Sequence, residues 1–259
     1  MRTERAYVGW IRRFIRYHGM RHPRELSERE VSEFLTYLAA ERGVAASTQT
    51  QALCALLFLY DAVLERPLAR LQDLTWARPH SRVPVVLTPG EVHGVLRELR
   101  GKSRLVATLL YGSGLRLLEC LRLRVKDVDF ARHEIRVRDT KGGRARVTVL
   151  PALVEAPLRA HLDEVRRGYE RDLEQGIEVE LPGALAVKYP GAGREWAWWW
   201  VFPATRHYVD RRTGERRRHH LHESAVQRAV KVAVRRTGIA KRATCHTLRI
   251  CDASLGGGV

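Results

Sequence analysis

A change of hydrophobic period constrains this fold most. Through much of the 259-residue chain apolar side chains recur every three or four positions, but between residues 133 and 150 they alternate. Ile135 and Val137, then Lys141-Gly142-Gly143-Arg144, then Val147 and Val149 read as two short strands joined by a glycine turn. Helical spacing gives each helix an apolar stripe, whereas alternation gives a strand one buried face. The expected fold is mostly α with a small β-hairpin or sheet, an α+β arrangement in the larger part of the chain.

Residues 1–76 read as a helical domain. Tyr7, Ile11, Phe14 and Ile15 share one face, and Ser27 with Glu30 forms a capping box before Val31, Phe34, Leu35 and Leu38. Residues 51–64 are apolar nearly all round, which marks a central helix. Residues 77–87, with Pro79, His80, Ser81, Arg82 and Pro84, read as a linker. A second domain over residues 88–259 opens on Thr88-Pro89-Gly90-Glu91, an N-cap followed by proline at the first helical position. Helices are expected to about residue 125, over about 153–174 and over about 223–236. Residues 176–193 read as loop, Trp196, Trp198, Trp199, Trp200 and Phe202 as an aromatic block, and 210–218 as a basic turn.

Charge narrows the partners. Lys plus Arg number 46 against 29 Asp plus Glu, a formal charge of +17. Residues 1–80 carry +3 of it and residues 81–259 carry +14; residues 206–249 hold 13 basic and three acidic side chains. A field of one sign attracts polyanions and releases their counterions, so nucleic acid is the expected partner. A merely basic surface or an anionic membrane patch is the alternative. No apolar run reaches the roughly 18 residues of a membrane span, and the start, with Arg2 and Glu4, is unlike a signal peptide. Cys54, Cys120, Cys245 and Cys251 form no C-x-x-C pair, which fits reduced thiols in a cytoplasmic protein.

Three separated motifs carry the chemistry. Tyr111-Gly112-Ser113-Gly114-Leu115-Arg116-Leu117-Leu118-Glu119 puts an arginine at a helix start after a glycine bend, Lys141 sits in the hairpin turn, and His246-Thr247-Leu248-Arg249 puts a histidine and an arginine on one helical face. Singly each has an ordinary reading. In this order they resemble the tyrosine recombinase (phage integrase) family over nearly the whole chain. Leu181-Pro182, Lys188-Tyr189-Pro190, the tryptophan block and Arg218-His219-His220 resemble the insertion of its integron integrase branch, here at about 176–222.

The resemblance implies a core-binding, SAM-like N-terminal domain and a catalytic domain in which a tyrosine attacks a DNA phosphodiester through a 3′-phosphotyrosyl intermediate. Arg116 and Arg249 are then the guanidinium pair for the phosphorane, since each offers a fixed fork of donors and stays protonated. Lys141 is placed to protonate the leaving 5′-oxygen and His246 to assist at the nucleophile. Glu119, one turn after Arg116, orients it. His219 and His220, with Arg218, Arg144 and Trp198, are expected DNA contacts, the rings stacking on unpaired bases of a folded single-stranded site. No metal is expected, because no Cys, Asp or Glu completes a tetrahedral set around His219, His220 and His222 at usual spacing. No cofactor is expected either, because the phosphotyrosine conserves the bond energy. The implied setting is the bacterial cytoplasm, on nucleoid DNA, duplex or folded.

The resemblance also implies elements beyond both ends. All eight tyrosines precede Arg249, so the nucleophile, a second His or Trp and a C-terminal helix for homo-oligomer docking are expected to be absent. The first helix of the core-binding domain is likewise expected to be missing, and residues 250–259 to arise from a frameshift. A nucleophile-less remnant that binds recombination sites without cutting them is the competing reading.

Overall fold

A computed structural model describes residues 2–69, 71, 73–79, 85–138, 145–182, 185–211 and 213–253, without the side chains of 2, 252 and 253. The chain divides into two compact units, Met1–Val83 and Pro84–Val259.

The first unit is three helices, α1 (Arg2–Tyr17), α2 (Glu28–Ala40) and α3 (Ala46–Phe58), the last running into a wide π turn at Leu59–Val63. Phe14, Phe34, Leu35, Leu56 and Tyr60 are buried at their junction. The capping box forms as expected: Glu30 accepts from the Ser27 backbone N–H at 2.7 Å and from its hydroxyl at 2.6 Å. Those bonds, the hydroxyl's first, hold the Glu30 carboxyl down at about 2. The third helix starts five residues earlier than the apolar run suggests. Gln49, on that polar first stretch, is fully buried; it bonds the Leu35 carbonyl of α2 and holds the chain after the helix through the Thr75 carbonyl and the N–H of Ala77. A buried amide is stable only when satisfied in this way.

The second unit is built around α5 (Gly101–Ser113). Packed with it are α4 (Pro89–Glu98), α6 (Leu117–Leu121), α7 (Ala152–Glu174), α9 (Glu223–Arg236) and α10 (Cys245–Ala253). Leu109, Leu110, Leu115, Leu121, Leu158, Phe202, Val226 and Leu248 form its core. The expected change of period appears as an antiparallel sheet in the order β1 (Val128–Asp129), β2 (Glu134–Val137) and β3 (Arg146–Val149), with Ile135 opposite Thr148 and Val137 opposite Arg146. Ile135 and Val137 face the core, and Val147 and Val149 face outward. Lys141 and Arg144 lie outside the described residues, as do 80–84 of the expected linker and 254–259 of the tail.

A second sheet corrects two expectations. Residues 176–193 are not simply loop: β4 (Glu178–Val179) pairs in parallel with β6 (Arg216–His220), and a helical turn, α8 (Leu185–Lys188), follows. The basic turn is present around Gly214 at φ +74°, but its last three residues, 216–218, already belong to β6, which pairs antiparallel with β5 (Pro203–Val209). Arginine-rich strands carry no alternation to announce them; here partners distant in sequence decide. No described helix is long and apolar enough to cross a membrane.

Candidate active site

The bend between α5 and α6 sets the first arginine. Gly114 lies at φ +60°, a left-handed conformation that side-chain-bearing residues rarely take, and it turns the chain so that Arg116 caps α6. Glu119, one turn on, accepts from the Arg116 backbone N–H at 2.8 Å and from its Nη1 at 2.6 Å. The Glu119 side chain is only 8% exposed. Burial raises its pKa, but the Arg116 bonds and the adjacent Arg146 outweigh that and hold the carboxyl below its ordinary range.

The second arginine arrives from the far end of the chain. Thr244 caps α10, exchanging hydrogen bonds with Thr247, so that exposed His246 and half-buried Arg249 project from its first turns. Arg249 Nε donates to the Gly114 carbonyl at 2.9 Å, which pins α10 to the bend before Arg116. Arg116, His246 and Arg249 therefore line one open cavity of about 1100 Å³. Lys231 and Arg235 from α9, with Lys241 and Arg242 from the α9–α10 loop, complete its charge. Among the described residues lining it there is no carboxylate and no tyrosine. Six cations line this one concavity; carboxylates behind the lining hold two of them, Glu119 on Arg116 and Glu91 on Lys241, and the remaining positive charge is an arrangement that an external polyanion stabilises. Lys231 and Arg235 were not singled out in the sequence, although their four-residue spacing on one helix was a signal.

A second cavity, of about 700 Å³, shares Arg116 and Glu119 and extends to Trp198, Trp200, His219 and His220. The two histidine rings stand 4.0 Å apart, and His220 meets Trp200 edge-on at 5.3 Å. His219 is exposed, but His220 is buried, and burial lowers its pKa to about 4, keeping it a neutral hydrogen-bonding ring. Arg124 is the anchor missed in the sequence. Its guanidinium lies on the Trp200 ring and donates to the carbonyls of Trp198 and Glu180, each at 2.7 Å, tying the segments around both to the loop after α6. Trp199 and Trp200 are buried, and half-buried Trp198 has Lys126 against its face.

Arg218 is corrected. It points inward, donating to both oxygens of Asp172 at 2.8 and 2.5 Å and to the carbonyls of Ala204 and Thr205. With its side chain 13% exposed and its charge neutralised, it has no fork free for DNA. Among the described residues no three His, Cys, Asp or Glu side chains gather as metal ligands.

A helical unit followed by a mixed unit that concentrates two arginines and a histidine on one cavity is the class of DNA strand-transfer enzymes that work through a tyrosine. The chain belongs to the phage integrase family of site-specific tyrosine recombinases: the phage integrase family model matches residues 86–255, and the phage integrase N-terminal SAM-like domain matches residues 1–70. It is 50% identical over 250 residues to integrase/recombinases of Escherichia coli and Pseudomonas aeruginosa, covering 96% of this chain and 74% of each relative. In fold it is similar to the Tn1549 transposon integrase in complex with transposon right end DNA (TM-score 0.62, 16% identity, 100% of this chain and 82% of that one). It is also similar to XerH recombinase bound to a palindromic difH substrate (TM-score 0.60, 17% identity, 97% and 67%).

Proposed function

We propose that this chain binds DNA as a recombinase of the integron integrase branch, holding one backbone phosphate between Arg116, Arg249 and His246. The cationic cavity, with no carboxylate in its described lining, carries the reading: two guanidiniums joined through Gly114, with four further cations around them, suit a bound anion. In the proposed reaction the arginines meet the charge that grows on the non-bridging oxygens, a contribution of several kcal/mol in such sites. Lys141 acts as the general acid and His246 as the proton acceptor. Lys231 and Arg235 extend the contact along the backbone, and the cavity at His219, His220 and Trp198 receives a base displaced from a folded single strand. Partners are thus duplex or folded DNA and further copies of the chain on it.

Strand cleavage requires a tyrosine delivered from outside the described cavity lining. Binding without cutting is the competing remnant reading.

A mobility-shift comparison of a folded single-stranded hairpin with a random duplex, using wild type, Arg116→Ala and Arg249→Ala, tests the reading. Each substitution should weaken binding about tenfold or more, as expected for a lost charge-assisted contact. Unchanged affinity in both variants would end it, and equal binding of hairpin and duplex would remove the integron assignment. A nicked substrate tests cleavage directly: a covalent adduct would show that a tyrosine reaches the cavity.

A further inference from the structure

Glu119 is where two arginines from different elements meet. Arg116 Nη1 takes one carboxylate oxygen at 2.6 Å, and Arg146 Nη2 takes the other at 2.7 Å. Arg146 is the first residue of β3, paired with Val137 of β2, and stands five positions after Lys141. We propose that Arg146 is a positioning residue: by holding the second oxygen of Glu119, it keeps Arg116 open to a phosphate. This rests on Arg116 being a phosphate contact, as proposed above.

The argument is electrostatic and geometric. Arg116 and Glu119 alone form a neutral pair, whereas Arg116, Glu119 and Arg146 together carry one net positive charge. A guanidinium prefers two parallel bonds to a carboxylate. Without Arg146, that oxygen keeps the Arg116 backbone N–H but has a lone pair left for the second Nη group of Arg116, and the carboxylate closes on the arginine that should face the DNA. Glu119 is too buried to be neutralised by water, and its carboxyl is held ionised, so its charge must be shared by protein groups. Arg146 does that sharing. Its side chain is 35% exposed against 54% for Arg116, which leaves Arg116 the more accessible fork. The same ion pair fastens β3, which follows Lys141 in the sequence, to the carboxylate bonded to Arg116.

Fluorescence anisotropy with a 5′-labelled hairpin DNA over a range of salt tests this in the full chain. Arg146→Ala should lose about as much affinity as Arg116→Ala, and the log–log salt slope of each should fall by about 0.7–0.9, one phosphate's contribution. The double variant should be no weaker than Arg116→Ala alone. Arg146→Lys, which keeps a charge on Glu119, should bind within about threefold of wild type. The decisive variant is Glu119→Gln with Arg146→Ala: removing the carboxylate charge should restore most of the loss. Should Arg146→Ala melt below the assay temperature, Arg146→Gln replaces it. Additive losses in the double variant would make Arg146 a direct phosphate contact and overturn the proposal. Failure of Glu119→Gln to restore binding in a folded protein would overturn it too. If Arg116→Ala changes neither affinity nor slope, the phosphate site itself is wrong, a separate failure.

Discussion

Arg249 donates from Nε to the carbonyl oxygen of Gly114 across 2.9 Å, although 135 positions separate the two. The contact makes the left-handed bend at Gly114 part of the site, because that bend also launches Arg116. Replacing Gly114 by valine forces a β-branched residue to φ +60°, at a cost of roughly 1–2 kcal/mol or more. The expected outcome is a lower urea midpoint together with weaker DNA binding. Arg249→Ala should instead lose binding with a smaller fall in midpoint, since it removes a single hydrogen bond, worth about 1 kcal/mol, and leaves the bend itself intact.

The Arg218–Asp172 pair makes the opposite prediction. Both side chains are largely buried and bonded through both carboxylate oxygens. Removing one partner of such a pair strands the other charge and costs about 3–5 kcal/mol. Asp172→Asn should therefore lower Tm by on the order of 10 °C. Below that melting temperature it should bind hairpin DNA as wild type does, since neither group faces the cavity of Arg116 and Arg249.

These two arginines show what was legible in the sequence. Capping at Ser27–Glu30 and Thr88–Glu91 is readable because the partner stands three residues away and the geometry is local. The hairpin is readable because Ile135 and Val137 must both face inward. Arg218 and Arg249 look alike in one dimension. What separates them is a carboxylate 46 positions upstream of Arg218 and a carbonyl 135 positions upstream of Arg249. Arg146 was invisible for the same reason, its partner lying 27 positions back on another element. The motifs identified Arg116, His246 and Arg249, but only packing decides which of the chain's many other cations face outward together.

The cysteines should report native packing. Cys54 is exposed, whereas Cys120, Cys245 and Cys251 are buried. Burial raises the thiol pKa of Cys120 strongly and moves that of Cys245 to about 11, so neither forms thiolate near neutral pH. Iodoacetamide at pH 8 should label Cys54 alone in the folded protein and all four cysteines after denaturation, read by intact mass. Native labelling at Cys120 or Cys245 would contradict the packing of α6 and α10 onto the core.

His220 gives the chain an acid-sensitive joint. Its Nδ1 bonds the Leu221 carbonyl at 2.8 Å and its ring sits against Trp200, where desolvation lowers the pKa from 6.5 to about 4. The folded state therefore disfavours protonation, and the unfolded chain binds more protons between those two values. Stability should be complete above about pH 6.5 and should fall as pH drops toward 4, the sign linkage requires. His161, buried against Phe202 and bonded to the Val201 carbonyl, has its pKa lowered by the same cause and adds a loss of the same sign. Urea midpoints at pH 7.5 and pH 5 should differ in wild type, and His220→Asn should shrink the difference without abolishing it. An unchanged difference would mean that His220 is not desolvated where it packs against Trp200.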